Sequence, residues 1–166
     1  MNWRVLGVDP GLAQTGWGLV DSDGNRHKHV DHGTIATNSG EPPELRLLTL
    51  HREMSAIISA FKPMAVGAEK LYFARNVSSA MPVAQARGAV LLTAALHGLR
   101  VEEFTPNTIK ESVVGTGSAD KSQIGKMIML LLGLTEAPDT DHAADALAVA
   151  ITFIHREAVS ELYGAR

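Results

Sequence analysis

The opening run Val5-Leu6-Gly7-Val8-Asp9-Pro10-Gly11, continued by Thr15-Gly16-Trp17-Gly18-Leu19-Val20-Asp21, constrains the fold more than any other stretch of the chain. Apolar residues lead up to one carboxylate, Pro-Gly turns the chain, and a second apolar run leads away. That is the pattern of a buried strand, a tight connection and an antiparallel partner. Ser22-Asp23-Gly24-Asn25 has the composition of a hairpin turn into a third strand from about Arg26 to Ala36, so the chain opens as a meander. Asp9 is left at a strand end beside a turn, where a ligand can reach it. A carboxylate there is costly to bury unless it is paired or binds a metal. Capping its own turn is the other role open to it.

The opening pattern returns once. After a loop over residues 38–43, Leu47, Leu50, Met54, Ile57, Ile58 and Phe61 recur at helical spacing, and Lys62-Pro63 ends that helix. Met64 to Glu69 is then a second short apolar strand ending in an acid. The following loop, residues 70–76, sets Tyr72 and Phe73 among Lys70, Arg75 and Asn76 in a chain that is only 5% aromatic. Small residues from Val77 to Leu99 predict a closely packed helix, and Val101 to Phe104 a short strand. Thr105-Pro106 has the form of a cap and first helical position for a helix carrying Lys110. Ser118 is the expected cap of the next helix, which carries Lys121. The terminal helix is expected from Asp141 to about Ala158. Asp141, His142 and Asp145 fall within its first turn or so, and Ala146 to Ile151 is apolar all round, as in a buried helix.

Composition narrows the classes of function. With 166 residues, 45% of them hydrophobic, the chain has enough material for one well-filled core. It has no Cys, which excludes disulfides, thiolate metal sites and a Cys nucleophile. The N-terminus lacks a signal-peptide pattern and charges interrupt the apolar runs, so no membrane association and a cytoplasmic location are expected. The net charge is −3, yet between Lys70 and Lys126 seven bases face four acids, a balance compatible with DNA and equally with ordinary solvated surface. Three acids at two strand ends and a buried helix start suit a Mg²⁺ or Mn²⁺ site for phosphodiester cleavage. Separate structural carboxylates are the alternative.

A resemblance adds to this reading. Val8-Asp9-Pro10-Gly11, Glu69 with Asn76 and Gln85-Ala86-Arg87-Gly88, the run from Val113 to Gln123, and Ala143-Ala144-Asp145-Ala146-Leu147-Ala148 together resemble the RuvC family of bacterial Holliday-junction resolvases, in order and over nearly the whole chain. The resemblance implies an α/β, RNase H-like fold with a mixed five-stranded sheet flanked by helices on both faces. Residues 1–166 would form a single nuclease domain, the last ten or so being a mobile tail. The implied activity is symmetric, metal-dependent nicking of two strands of a four-way DNA junction by a homodimer, with the RuvA–RuvB branch-migration complex as working partner.

Carried over residue by residue, the family's acidic tetrad falls on Asp9, Glu69, His142 and Asp145, and these would hold two ions of Mg²⁺ or Mn²⁺ per site. Many members have Asp where this chain has His142 and some have His, so a neutral imidazole there would ligate a metal or act in proton transfer. A nitrogen ligand favours Mn²⁺, so Mn²⁺ is the expected preference; Asp141 is a lower-ranked alternative ligand. Lys110 and Lys121 match basic residues near the scissile phosphate. Tyr72 matches an aromatic that stacks on a base at the junction, with Phe73 beside it. Arg75, Asn76 and Arg87 correspond to backbone or base contacts.

Three other functions compete. Gly7-Val8-Asp9-Pro10-Gly11 also resembles the first phosphate loop of actin-like kinases and ATPases, which need two such domains, and no P-loop Lys follows it. A junction-binding protein without cleavage would not need Asp9, Glu69 and Asp145. The shorter resolvase-like nucleases that process ribosomal RNA are the nearest alternative. His27, His29 and His32 fall along one strand as a metal cluster might, but no acid or family motif supports a site there, so they are expected to be exposed, as are His97 and His155 at surface or helix-end positions.

Overall fold

The computed structural model describes residues 2–70 and 77–163, the side chains of 77–79 excepted. Strands β1 (Trp3–Asp9), β2 (Gln14–Ser22) and β3 (His27–Ala36) form the expected meander. Helix α1 (Pro43–Phe61) leads to β4 (Ala65–Glu69), and α2 (Val77–Leu96) to β5 (Arg100–Phe104). Helices α3 (Pro106–Val114), α4 (Lys121–Leu132) and α5 (Asp141–Tyr163) complete the described chain. The sheet order is β3-β2-β1-β4-β5, antiparallel from β3 to β1 and parallel from β1 to β5. Parallel neighbours need long crossovers, which α1 and α2 supply. The mixed five-stranded sheet is therefore the one expected.

Strand alternation sorts the sheet into two cores. Leu6, Val8, Leu19 and Val66 face Leu50, Met54 and Ile58 of α1 and Ala86, Val90 and Ala94 of α2. Val5, Val20 and Phe104 face the opposite layer, where α5 lies against the sheet beneath α3 and α4. Every residue from Ala146 to Ile154 is buried, which accounts for the apolar run in the sequence. Such close seating needs glycine beneath it: a Cβ at Gly7 would overlap the carbonyl oxygen of Ala146, and one at Gly16 that of His142.

Three expectations change. Asp120, not Ser118, caps α4: its carboxylate accepts the Gln123 N–H while the Gln123 side chain accepts the Asp120 N–H, a capping box. Helix α5 continues past Ala158 to Tyr163, so the stretch expected to be a tail is helical that far. The histidines of β3 are half-buried rather than exposed. A bulge in β3 opposite Leu19 and Val20 brings His29 Nε2 to 2.7 Å from His32 Nδ1, and His27 Nε2 lies 2.9 Å from Nε2 of the equally half-buried His155 on α5. Strand periodicity cannot show a bulge or a partner 128 residues away.

Candidate active site

The site lies at the carboxyl ends of the parallel strands. Asp9 ends β1 and Glu69 ends β4, both on the sheet face that carries α5. In an open α/β sheet the carboxyl ends of the strands are where ligands gather. Helix α5 begins over these ends and brings His142 and Asp145 to them. His142 Nδ1 is 2.8 Å from Asp9 Oδ2, a contact across 133 positions of sequence that links helix to strand. Gly16 makes the approach possible, since it pairs with Asp9 in the sheet and lies directly beneath the His142 backbone.

Two cavities meet at Glu69. One, of about 320 Å³, is lined by Asp9, Lys70, Arg87 and His142. The other, of about 230 Å³, lies between α3, α4 and α5 and is lined by Lys110, Lys121 and Asp145. Burial, aided by the charges of Asp9 and Asp145, pushes the Glu69 carboxyl up to about 7. Burial also raises Asp145, with Asp9 and Asp141 adding to the effect and Lys121 opposing it. Three acids are thus held in mutual repulsion in a partly desolvated pocket, the electrostatic arrangement that a cation relieves.

Lys121 partly fills that role from the rim. Its Nζ is 3.4 Å from Asp141 Oδ2 and 3.8 Å from Asp145 Oδ2, and Asp145 in turn raises the lysine's pKa. The side chain is 72% exposed and free to swing away. Among the described residues, no three Asp, Glu or His side chains are gathered tightly enough to share one ion in this conformation. The donor chemistry nonetheless fits a hard divalent cation: carboxylate oxygens from Asp9, Glu69 and Asp145, with one imidazole.

Of the residues singled out from sequence, Asp9, Glu69, His142, Asp145, Lys110 and Lys121 come together around these two cavities. Arg87 lines the first, but its guanidinium forms a two-pronged ion pair with Glu103 on β5. Tyr72, Phe73, Arg75 and Asn76 lie outside the described residues. Asp141 is at the rim, its side chain 83% exposed. Sequence reasoning passed over Lys70 as a site residue, although its position directly after Glu69 was the available signal. The Glu103 partner of Arg87 carried no signal, because only the sheet brings β5 beside α2.

The chain as a whole is similar to known proteins. The family model described as "Crossover junction endodeoxyribonuclease RuvC" matches residues 5–153. The crossover junction endodeoxyribonuclease RuvC of Syntrophomonas wolfei is 45% identical over 152 residues, which is 92% of this chain and 88% of that protein. Thermus thermophilus RuvC in complex with Holliday junction substrate superimposes with a TM-score of 0.91 at 33% identity, covering 95% of this chain and 96% of that one. Ydc2, the yeast mitochondrial Holliday junction resolvase, has a TM-score of 0.68 over 96% of this chain and 82% of that one; at 12% identity the likeness is one of fold. With a family match from β1 into α5 and close relatives along nine-tenths of its length, the chain belongs to the RuvC family of crossover junction endodeoxyribonucleases.

Proposed function

We propose that this protein is a structure-specific DNA endonuclease that resolves four-way junctions by hydrolysing one phosphodiester in each of two symmetric strands. The observation that carries the reading is the convergence of Asp9, Glu69, His142 and Asp145 at the strand ends, with Lys110 and Lys121 beside them. These four residues would hold divalent cations, two of Mg²⁺ or Mn²⁺. Bound there, the ions would supply an activated water and charge stabilisation for an in-line displacement at phosphorus. Lys110 and Lys121 present ammonium groups to the non-bridging phosphate oxygens, where negative charge grows as the water oxygen bonds to phosphorus and the strand's P–O bond breaks. Lys121 must leave Asp145 to do so, which its exposure permits.

The remaining assignments are carried over from the resemblance to the family and are proposals for this chain. Tyr72 stacks on a base opened at the crossover, and Phe73, Arg75, Asn76 and Arg87 contact the surrounding strands. Two copies of the chain act together, one site for each nicked strand, with the RuvA–RuvB complex supplying the junction in the cytoplasm. No helix among the described residues is long and apolar enough to cross a membrane.

The test is cleavage of a synthetic four-way junction with Mg²⁺ or Mn²⁺, alongside a linear duplex and a ribosomal precursor RNA. Paired nicks confined to the junction are expected. Equal cutting of the linear duplex would overturn structure specificity, and preferential cutting of the RNA would favour the ribosomal-RNA nuclease reading.

A further inference from the structure

One row of the sheet runs beneath the first turn of α5. Asp9 pairs with Gly16, and Gly16 pairs with Thr34 on the edge strand β3, so the three project from one face. Over this row lies the start of the helix. His142 stands on Gly16 and reaches Asp9 with its ring, while Thr140 lies over Thr34, the two hydroxyl oxygens 2.7 Å apart. The Thr140 hydroxyl also accepts the Ala143 N–H at 3.1 Å, and its carbonyl accepts the Ala144 N–H. Thr140 is therefore the N-cap of α5, and Thr34 holds the cap.

From this geometry we infer that Thr34 is a positioning residue for catalysis: through Thr140 it fixes where α5 begins on the sheet, and so where His142 and Asp145 stand relative to Asp9 and Glu69. This rests on the nuclease reading above. Thr34 lies at the far end of the row from Asp9 and lines neither cavity at Glu69. The chain arriving at Thr140 offers little other support, since Thr135, Glu136, Ala137 and Asp139 are all exposed. Deeper along α5, the buried run from Ala146 onward sets the height of the helix above the sheet but packs through apolar contacts, which are not directional. A hydroxyl pair is directional, and it acts on the turn that carries the site. Helix starts fray when a cap is weakened, and a small displacement of groups that must share an ion is expensive in rate.

Thr34→Val keeps the shape and removes the hydroxyl, whereas Thr34→Ser keeps the hydroxyl and removes the methyl. Three measurements separate positioning from mere packing: the single-turnover nicking rate on a saturating junction, Mn²⁺ binding to the DNA-free protein by calorimetry, and the melting temperature. Thr34→Val is expected to nick about ten- to hundredfold more slowly and to bind Mn²⁺ more weakly, with junction affinity in Ca²⁺ unchanged; Thr34→Ser should recover most of both losses. Wild-type rate and Mn²⁺ binding in Thr34→Val would overturn the inference and leave the nuclease reading standing. So would equal defects in Thr34→Ser accompanied by a lower melting temperature, which would make the methyl group's packing the cause. Absence of metal-dependent nicking by the unaltered protein would overturn the nuclease reading, and the positioning role with it.

Discussion

At the scale of single residues, the proposed function gives the acids of the site a role in charge and ligation rather than in folding. Asp9→Asn, Glu69→Gln and Asp145→Asn each replace a carboxylate by a nearly isosteric amide. In the raised carboxyls of Glu69 and Asp145 they also remove a source of repulsion. Each variant is expected to fold and bind a junction while nicking at least about 10²-fold more slowly, since a lost ligand removes several kcal/mol of transition-state stabilisation. Circular dichroism and gel shift check the first two statements, and a nicking assay the third. His142 differs in kind. A nitrogen donor suits Mn²⁺ better than Mg²⁺, which demands near-ideal oxygen coordination. Faster nicking with Mn²⁺ is therefore expected of the native protein, and a shift towards Mg²⁺ of His142→Asp. Equal preference in both proteins, measured by titrating each ion, would leave His142 only its hydrogen bond to Asp9.

At the scale of elements, β3, α3 and α5 are tied by a proton-ordered chain. His155 Nδ1 lies 3.1 Å from both the carbonyl and the hydroxyl oxygen of Ser112; since a carbonyl can only accept, Nδ1 as its donor leaves Nε2 to accept from His27 Nε2–H. The Ser22 hydroxyl then donates to His27 Nδ1 at 3.0 Å and accepts the Gly24 N–H. One proton serves the pair of Nε2 atoms, and a second would set two N–H groups against each other. Burial lowers both imidazoles from their ordinary value of 6.5; the neighbouring His155 lowers His27 further, and Asp23 opposes this. Above pH 6.5 both are neutral whether the chain is folded or not, so their contribution is fully present. As the pH falls below 6.5, the unfolded chain takes up protons that the folded one refuses, and stability is lost until the depressed folded values are passed. Glu69 titrates in the same window with the opposite sign, because its pKa is raised on folding. The informative quantity is therefore a difference: between pH 7 and 5, the melting temperature of wild type should fall more steeply than that of His27→Gln/His155→Gln. Parallel curves would remove the pair from the pH dependence.

At the scale of the whole molecule, the layer of α1 and α2 carries exposed apolar side chains on its outer surface. Met81, Leu92 and Leu96 form an exposed apolar stripe along α2, and Leu45 and Leu48 are exposed on the neighbouring α1. An unpartnered stripe of this kind is typical of an association surface, and a second copy of the chain is the partner required if both strands of a junction are nicked together. If the chain pairs through this face, Leu92→Lys, at a residue already 60% exposed, should fold normally but run as a monomer in light scattering where the unaltered chain runs as a dimer. It should also leave junctions singly nicked. A native chain that is monomeric throughout would refute the pairing through this face.

Local pattern alone reached the elements. The strands ending in Asp9 and Glu69, the α1 stop at Lys62-Pro63, the Thr105 cap and the buried apolar stretch of α5 were legible because alternation, helical spacing, turn residues and caps act over a few residues. Asp9 and Glu69 stood out for the same reason, as charges ending apolar runs, and Asp145 as a charge at the start of a buried helix. Their convergence was not legible in local pattern, although the family resemblance implied it. It depends on β4 entering the sheet beside β1 and on glycines that let α5 lie against the strands, neither of which has a signature in local spacing. The bulge in β3, the His27–His155 contact, the Arg87–Glu103 pair and the Thr34–Thr140 hydroxyl pair join positions far apart in sequence or shift register within it, and each was decided only when the sheet was assembled. Short-range sterics and burial are written residue by residue, whereas the contacts that aim the site depend on which elements pack together.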